Sequence, residues 1–410
     1  LREAEAVLGV EAPAPAEHNE LRGIVAAIRS AVAGNQEDRE RAIDLAEAAL
    51  TLLPADNLFW RIIPTVNLGL AYDAGGAVAV ASARFTEAVA MARRAGNAYV
   101  TLIAIIHLGR VQVEQGQLHA AVDLYREALT LAGQRGWDRL PMVSLPHIWL
   151  AKVLYEWNDL AAATHHASTG ITIVQSNEHP RMLLEAYATL ARIRQAEGNF
   201  SEAQALMARA VVVAQAESMQ WAAPRVAAYQ ARAWLTQGQP DRTGQWLQTA
   251  RLRLDDELSS QREYEHITLA RVLIAQNHPE EALPFLQRLA VAAERAGRLR
   301  SLLEILVLCA QAYQAQGAMT AALHSLHQAV VLAEPEGYIR SFVDEGPSIA
   351  TLLHRLKLTD KRIQLYKDKL LSALASEPPQ EHEEGATFVR LSRPASSSTS
   401  STNLESTASP

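Results

Sequence analysis

The stretch LGRVQVEQGQLHAAVDLYREA, residues 108–128, indicates the fold of this chain, because its pattern of small residues returns along most of the sequence. Its fixed points are a small residue, a turn residue seven positions later, a second small residue twelve positions after the first, and an alanine seven beyond that. In this copy they are Gly109, Gly116, Ala121 and Ala128. Apolar residues at helical spacing lie on both sides of Gly116, so the stretch predicts a helical hairpin.

The same offsets recur before and after this stretch. The other copies are Gly69, Gly76, Ala81, Ala88; Ala151, Asn158, Ala163, Gly170; Ala191, Gly198, Ala203, Ala210; Ala231, Gly238, Thr243, Ala250; Ala270, Asn277, Ala282, Leu289; and Ala310, Gly317, Ala322, Ala329. First members are 40, 42, 40, 40, 39 and 40 residues apart. A looser first copy, three residues longer before its second helix, lies at Ala27, Gly34, Ala42 and Ala49.

A period of this length with two helices per unit predicts an all-α fold, a right-handed superhelix (solenoid) of about eight tetratricopeptide-like helical hairpins with a C-terminal cap. Small residues let antiparallel helices approach to about 8 Å where they cross. Glycine or asparagine ends the first helix by adopting the left-handed conformation. One hairpin cannot bury its own apolar face, so the units must stack.

The chain divides into four segments by pattern and composition. Residues 1–18 resemble the end of an upstream segment, and residues 19–333 form the superhelical domain. Residues 334–376 break the period and predict a cap, with a new helix at Pro347 and a final helix over residues 360–375. Residues 377–410 are acidic and Ser/Thr-rich, which predicts a disordered tail. The chain begins with Leu1, and two alternatives are open: a fragment of a longer protein or a complete product.

Composition excludes several classes of protein. A net charge of -7 argues against nonspecific binding of nucleic acid, which needs dense positive charge. The single cysteine, Cys309, excludes an internal disulfide framework and Cys-rich metal sites, and it favours a cytoplasmic protein. The longest apolar run, residues 98–108, is too short to span a bilayer, and no basic-then-apolar leader is present, so no membrane partner is expected.

A column of cations follows the first small residue of each repeat. These positions, which we expect to face the concave wall, read Leu70, Arg110, Lys152, Arg192, Arg232, Arg271 and Gln311. Five consecutive cations predict an inner groove that binds anions or acidic peptides, because guanidinium groups engage carboxylates with two hydrogen bonds. The alternative is a solvated helix surface on which the cations pair with Glu114, Glu156 and Glu197. We call Arg110, Lys152, Arg192, Arg232 and Arg271 the inner cation column.

Aromatic residues concentrate in the middle repeats. They are Trp149, Tyr155, Trp157, Trp221, Tyr229, Trp234 and Trp246. Aromatic faces beside polar groups can stack ring-shaped ligands or hold apolar peptide anchors. Trp149 and Tyr155 therefore complete the candidate ligand-binding set with the inner cation column. At helical spacing the alternative is that these residues belong to the core.

No catalytic, cofactor or metal site is expected. The chain contains no His-Glu-x-x-His and no Gly-x-Ser-x-Gly motif. His324 with His327, and His165 with His166, lack further converging ligands and are expected at the surface. Cys309 precedes a helix-contact alanine, which predicts a buried and inert thiol. An enzyme has no positive support from these residues.

The stretches NLGLAY, residues 67–72, and EPEGYIRSFVDEGPSIATLL, residues 334–353, carry a family resemblance. Together with the repeats they resemble the large ATP-dependent LuxR-type transcriptional regulators, also called MalT-like, over residues 1–375. In that family a nucleotide-binding module and a winged helix precede a superhelical sensor, and a LuxR-type helix-turn-helix follows it. This chain has no Gly-x-x-x-x-Gly-Lys-Ser/Thr loop, and near Glu377 it turns into the acidic tail instead of DNA-binding helices.

The resemblance implies the effector-sensing and self-association region of such a regulator, which takes an inducer or partner on its concave face. The expected partners are a small-molecule inducer or a peptide or protein, together with self-association, and no nucleic acid bound directly by this chain. The alternative function is a free-standing tetratricopeptide scaffold that binds a protein partner.

Overall fold

A computed structural model describes residues 16–36, 38–175 and 179–377 of the chain. Within those ranges the secondary structure is helical and contains no strand. Most of the expected upstream segment, residues 1–15, and the expected tail beyond Glu377 lie outside the described residues. None of the described helices is long and apolar enough to cross a membrane.

Eight successive helical hairpins make up most of the described chain. They are α1 (Ala16–Asn35) with α2 (Arg39–Leu52), α3 (Leu58–Ala74) with α4 (Val78–Arg94), α5 (Ala98–Glu114) with α6 (Leu118–Gln134), α7 (Ser144–Glu156) with α8 (Leu160–Gln175), α9 (Pro180–Ala196) with α10 (Phe200–Ala214), α11 (Ala223–Thr236) with α12 (Pro240–Thr249), α13 (Glu263–Ala275) with α14 (Pro279–Arg295), and α15 (Leu299–Ala315) with α16 (Met319–Ala333). The predicted solenoid is confirmed.

The cap contains three further helices. They are α17 (Arg340–Val343), α18 (Pro347–Arg355) and α19 (Lys361–Ala375), which follow a 3-10 turn at Glu334–Glu336. The helix predicted to begin at Pro347 is present, and so is the final helix, whose first turn is capped by the Asp360 carboxylate. Three other 3-10 turns, Pro141–Val143, Glu217–Ala222 and Ser260–Arg262, precede α7, α11 and α13.

The turn residues of the repeat behave as predicted. In all seven regular copies the turn residue has a positive φ, namely Gly76, Gly116, Asn158, Gly198, Gly238, Asn277 and Gly317. That backbone conformation costs glycine little and asparagine less than most residues, so it ends the first helix of each hairpin. Gly34 of the looser first copy differs, because α1 continues through it to Asn35.

The small residues of the repeat lie where helices cross. Ala81, Ala121 and Ala163 are fully buried, like most of their counterparts. At Gly109 the approach is closest, since a Cβ there would lie 2.5 Å from Cε1 of the fully buried Tyr125. The first helix can therefore pack against the second only because position 109 lacks a side chain.

The sixth hairpin departs from the repeat. Helix α12 ends at Thr249, Ala250 is half-buried just beyond it, and residues 251–259 form no regular helix. Asp256 accepts a hydrogen bond from the backbone N–H of Arg253 at 2.9 Å. Aspartate and serine side chains compete for backbone groups in this way, which favours turns over helix interiors. The second helix of this unit is therefore shorter than the repeat predicted.

The superhelix returns on itself at its C-terminal end. Arg298 Nη1, at the start of the eighth hairpin, donates to the carbonyl oxygen of Gly76 in the second hairpin at 3.3 Å. In the cap, Glu336 Oε2 accepts from the backbone N–H of His119 at 2.9 Å. One apolar core also joins the third to fifth hairpins to the eighth hairpin and the cap. The first helices consequently face an interior that the cap enters.

Candidate functional site

The five cations of the inner cation column come from five successive first helices, α5, α7, α9, α11 and α13. Each of them has an acidic partner inside the superhelix. The ion pairs are Arg110 with Asp73, Lys152 with Glu185, Arg192 with Asp344, Arg232 with Glu304, and Arg271 with both Glu304 and Glu345. Two of these five acids, Asp344 and Glu345, belong to the cap, so the column joins the repeats to the cap.

Asp344 is the centre of the first part of the site. One of its oxygens accepts from Tyr155 Oη at 2.7 Å and from Arg192 Nη2 at 2.9 Å. The other oxygen accepts from Arg340 Nε at 2.8 Å. The Arg192 guanidinium also lies 4.5 Å from the centroid of the Tyr155 ring, within the range of a cation–π contact. Three donors on three helices, α7, α9 and α17, therefore converge on one carboxylate.

Burial and the neighbouring charges together set the protonation states of Asp344 and Tyr155. Burial by itself would raise the pKa of Asp344, but the guanidinium groups of Arg340 and Arg192 outweigh it and lower that pKa. Burial raises the pKa of Tyr155 well above its ordinary value, and the Asp344 charge adds to the effect. Asp344 is thus a carboxylate at neutral pH, and the Tyr155 phenol keeps the proton that it donates.

Glu304 is the centre of the second part. Its Oε1 accepts from Arg232 Nη1 at 2.6 Å and from Arg271 Nη2 at 2.8 Å. Arg271 also reaches Glu345 of the cap at 2.5 Å, and Arg232 lies 3.7 Å from the ring centroid of Tyr264. Burial acts to raise the pKa of Glu304, and the charges of Arg232 and Arg271 lower it further than burial raises it.

The backbone of the cap is bound as well. The carbonyl oxygen of Glu156 accepts from the Ile339 N–H at 2.8 Å, and the Glu156 carboxylate accepts from the Ser341 N–H at 2.6 Å. Trp157 Nε1 donates to the carbonyl oxygen of Glu336 at 2.8 Å. Chemically, the interior offers acceptors for backbone N–H groups followed by cations for carboxylates, which is an arrangement suited to a peptide chain.

The aromatic residues do not form one cluster. Trp149 is half-buried between His107 and Tyr125, with ring centroids 5.9 and 6.2 Å away, and the Arg110 guanidinium lies 5.9 Å from its ring. Trp246 is buried, as the core alternative expected. Of the two aromatic members of the candidate set, Tyr155 donates to the cap carboxylate of Asp344, whereas Trp149 packs in the wall.

The alternative pairing of the inner cation column with Glu114, Glu156 and Glu197 is not the observed one. Glu114 pairs with Arg300 at 3.8 Å, and Glu197 pairs with Arg194 at 2.6 Å. Glu156 binds the cap backbone instead. The alternative was correct that the cations are ion-paired. The partners lie in the cap, on an adjacent hairpin or, for Arg232 with Glu304, two hairpins further along the chain.

Sequence reasoning missed these partners, although one signal was available. Glu185 precedes Arg192 by seven residues, and Glu304 precedes Gln311 by seven, so each acid lies two turns before a column position on the same helix. Each pairs with a column cation 33 residues earlier, on another first helix: Lys152 with Glu185 and Arg271 with Glu304. An acid at this offset could have been read as the partner of a neighbouring repeat. Nothing in the sequence pattern placed Asp344 beside Arg192.

The histidines and the cysteine lie apart from this site. His165, His324 and His327 are exposed, as predicted, whereas His166, which was also expected at the surface, is half-buried. His147 and His166 bring their Nδ1 atoms within 2.9 Å, and burial lowers the pKa of His147 to about 4. Within the described ranges, the group of side chains close enough to share a metal ion is the exposed trio His278, Glu280 and Glu281 at the start of α14.

Cys309 is expected to be unreactive in the native protein. The side chain is buried, and burial raises the pKa of its thiol to about 12, so the thiolate that reacts with disulfide reagents is scarce at neutral pH. Titration with Ellman's reagent at pH 8 should give less than about a tenth of the rate of a free thiol in buffer and the full stoichiometry in 6 M guanidinium. Rapid native reaction would contradict the burial.

Comparison with known proteins places the chain in a family. The model of the MalT-like TPR region matches residues 23–359. The chain is 29% identical over 337 residues to the HTH-type transcriptional regulator MalT of Serratia proteamaculans (strain 568), covering 80% of the chain and 36% of that protein. It is 28% identical over 343 residues to the protein of the same name from Yersinia pestis (strain Pestoides F), covering 82% and 37%. The chain thus spans little more than a third of the length of these relatives.

Two solved structures share the fold. A Rap protein complexed with Competence and Sporulation Factor superposes with a TM-score of 0.65 at 12% identity, covering 82% of this chain and 91% of the other. NprR in complex with its cognate peptide NprX gives a TM-score of 0.56 at 12% identity, covering 85% and 98%. At this identity the likeness shows the helical-repeat fold alone. From the family match over most of its length, we conclude that this chain belongs to the MalT-like TPR region family.

Proposed function

We propose that the chain is the effector-sensing and self-association region of a MalT-like, LuxR-family transcriptional regulator, and that it binds an inducer or a peptide or protein partner on its concave face. The observation that carries the proposal is the convergence of Tyr155, Arg192 and Arg271 on two carboxylates inside the superhelix. The family membership and the regulators among the relatives support it. The proposed role is binding without catalysis.

The closed superhelix suggests how binding would act at a distance. Contacts such as Arg298 with Gly76 and Glu336 with His119 hold the eighth hairpin and the cap against the second and third hairpins. A ligand shifts a protein between two shapes only by binding one of them more tightly. A ligand that replaces or reinforces the interior contacts would therefore change the curvature of the solenoid, and with it the surfaces available for self-association.

Ligand-dependent thermal stabilisation tests this function. A panel of metabolites and short peptides should contain a compound that stabilises the wild-type chain by about 3 kcal/mol when present at a hundred times its Kd. We expect the double variant Arg192→Ala with Arg232→Ala to lose this response, because both guanidinium groups face the interior. Arg93→Ala is the matched control, since Arg93 forms an exposed ion pair with Glu127. A double variant that responds like the wild type would remove the proposal.

The alternative is a free-standing scaffold that binds a protein partner. It is favoured by exposed aromatic side chains near the starts of first helices, namely Phe59, Tyr99 and Trp221. Aromatic residues are enriched at the centres of protein interfaces. Reading frames adjoining the gene separate the two functions: a phosphate loop upstream or a helix-turn-helix downstream favours the regulator.

A further inference from the structure

Residues 339–348 of the cap cross the inside of the superhelix as a bound peptide would. Their backbone N–H groups are bound at α7, their carboxylates at α9 and α13, and the Ser348 hydroxyl accepts from Gln311 Nε2 of α15 at 2.8 Å. Four different first helices thus contact one stretch of ten residues. Arg192, Arg271 and Gln311 occupy the same repeat position on three of these helices.

The acidic side chains of this stretch form ion pairs with the cations that the proposed function assigns to a ligand. Asp344 takes the donors of Tyr155 and Arg192, and Glu345 takes a donor of Arg271. A ligand with carboxylates cannot use these donors while the cap holds them. A ligand from solution and the cap therefore compete for the same donor atoms of these three side chains.

We propose that residues 339–348 are an autoinhibitory internal ligand, and that the effector of the concave face is an acidic peptide whose two neighbouring carboxylates compete with Asp344 and Glu345 for Arg192, Tyr155 and Arg271. This inference rests on the proposed function and adds to it the chemical class of the effector and the way in which the site is regulated.

The chemistry of Glu156 favours a peptide over a small anion. Its carboxylate lies beside the column and accepts from the Ser341 N–H, and its carbonyl oxygen accepts from the Ile339 N–H. A phosphate or a simple dicarboxylate offers no backbone N–H, would leave both acceptors unpaired, and would place negative charge beside a buried carboxylate. A peptide supplies N–H donors and carboxylates along one chain.

The apolar residues of the stretch place a second requirement on the effector peptide. Ile339, Phe342 and Val343 are buried in the core shared by the cap and the repeats. Release of the stretch would expose them, so the effector must carry apolar side chains ahead of its acids to replace that burial. Because the internal ligand is tethered, its effective concentration is high, and it lowers the apparent affinity for a ligand from solution.

Weakening the internal ligand should therefore strengthen binding from solution. The probe is a fluorescein-labelled peptide with the sequence of residues 338–348, YIRSFVDEGPS, and fluorescence anisotropy measures its binding to the full chain. We expect the variant D344N/E345Q to bind the probe at least about tenfold more tightly than the wild type does. Adding Arg192→Ala and Arg271→Ala to that variant should abolish the gain, and so should a probe in which both acids are replaced by their amides.

Hydrogen exchange on the wild-type chain provides a second readout that does not depend on a variant's folding. Excess probe should accelerate exchange at the backbone N–H groups of Ile339 and Ser341 by about tenfold or more, because it displaces their hydrogen bonds to Glu156. Unchanged exchange under saturating probe overturns the inference. So does D344N/E345Q, folded by circular dichroism, binding the probe no more tightly than the wild type.

The two proposals fail separately. If an effector from the panel still depends on Arg192 and Arg232 while the internal-ligand experiments fail, the sensing function stands and the autoinhibition is wrong. If no effector depends on these arginines, the sensing function fails whatever the probe does.

Discussion

Gly109→Val is expected to destabilise the protein by about 3 kcal/mol, at the upper end of the usual cost of overpacking a core. A Cβ at position 109 would lie 2.5 Å from Cε1 and 3.0 Å from Cδ1 of Tyr125. Tyr125 is fully buried, so its ring has no free space into which it can move. The third hairpin must separate its two helices, and the core that it shares with its neighbours opens. Urea denaturation followed by circular dichroism measures the loss.

Gly34→Val is the matched control for this prediction. Gly34 also lies in the first helix of a hairpin, but it is exposed and a Cβ there meets nothing within 4 Å. The substitution should change the free energy of unfolding by no more than about 0.5 kcal/mol. If valine lowered the free energy of unfolding equally at both positions, the close approach of Gly109 to Tyr125 would not be what the packing of the third hairpin requires.

Glu304→Gln is expected to cost about 3 kcal/mol, because it leaves two arginines without the carboxylate that they share. The side chains of Arg232 and Arg271 are only 16% and 17% exposed, so water replaces little of the lost interaction. The amide keeps the shape and removes the charge, which separates electrostatics from packing. The midpoint of urea unfolding at pH 7 provides the measurement.

The pH dependence of this effect has a defined sign. The pKa of Glu304 is lowered in the folded protein from its ordinary value of 4.5. The ionised Glu304 side chain therefore makes its full contribution to folding stability above about pH 4.5. That contribution is lost as the pH falls below 4.5 toward the pKa of the folded protein. The stability difference between wild type and Glu304→Gln should shrink below pH 4.5 and stay constant between pH 6 and 8.

Asp255→Asn supplies the control for the charge. Asp255 pairs with Arg253, but the two side chains are 73% and 75% exposed. Exposed pairs contribute little because water and salt screen them. We expect no measurable change of stability for this variant. Equal effects of Glu304→Gln and Asp255→Asn would show that the pairing at Glu304 is not protected from solvent.

The hairpins could be predicted from sequence because their determinants are local. Gly116 and Asn158 end first helices through their own backbone preference, and Gly109 leaves room for Tyr125 where two helices that adjoin in sequence pack together. The sixth hairpin shows the limit of this reasoning. The repeat pattern predicted a helix contact at Ala250. The helix ends instead at Thr249, and the Asp256 side chain binds a backbone N–H in the irregular segment that follows.

Only part of the candidate site could be predicted from the sequence. Arg192 and Arg271 could be assigned to one face because the repeat fixes their orientation, and the structure places both in the interior. Tyr155 was selected for its aromatic ring, but the group that binds Asp344 is its hydroxyl. Trp149 shares that selection but packs in the wall, since sequence spacing does not tell a ring at the surface of a groove from one beneath it.

The helices, the hairpin turns and the row of cations follow from local sequence, because each depends on residues within about one repeat of one another. The tertiary structure alone decided what the cations bind. Asp344 lies 152 residues from Arg192 and 189 from Tyr155 along the chain, and the three meet only because the small rotation between successive hairpins accumulates until the superhelix returns on itself. That curvature is a sum over many packing contacts, so no single stretch of sequence encodes it.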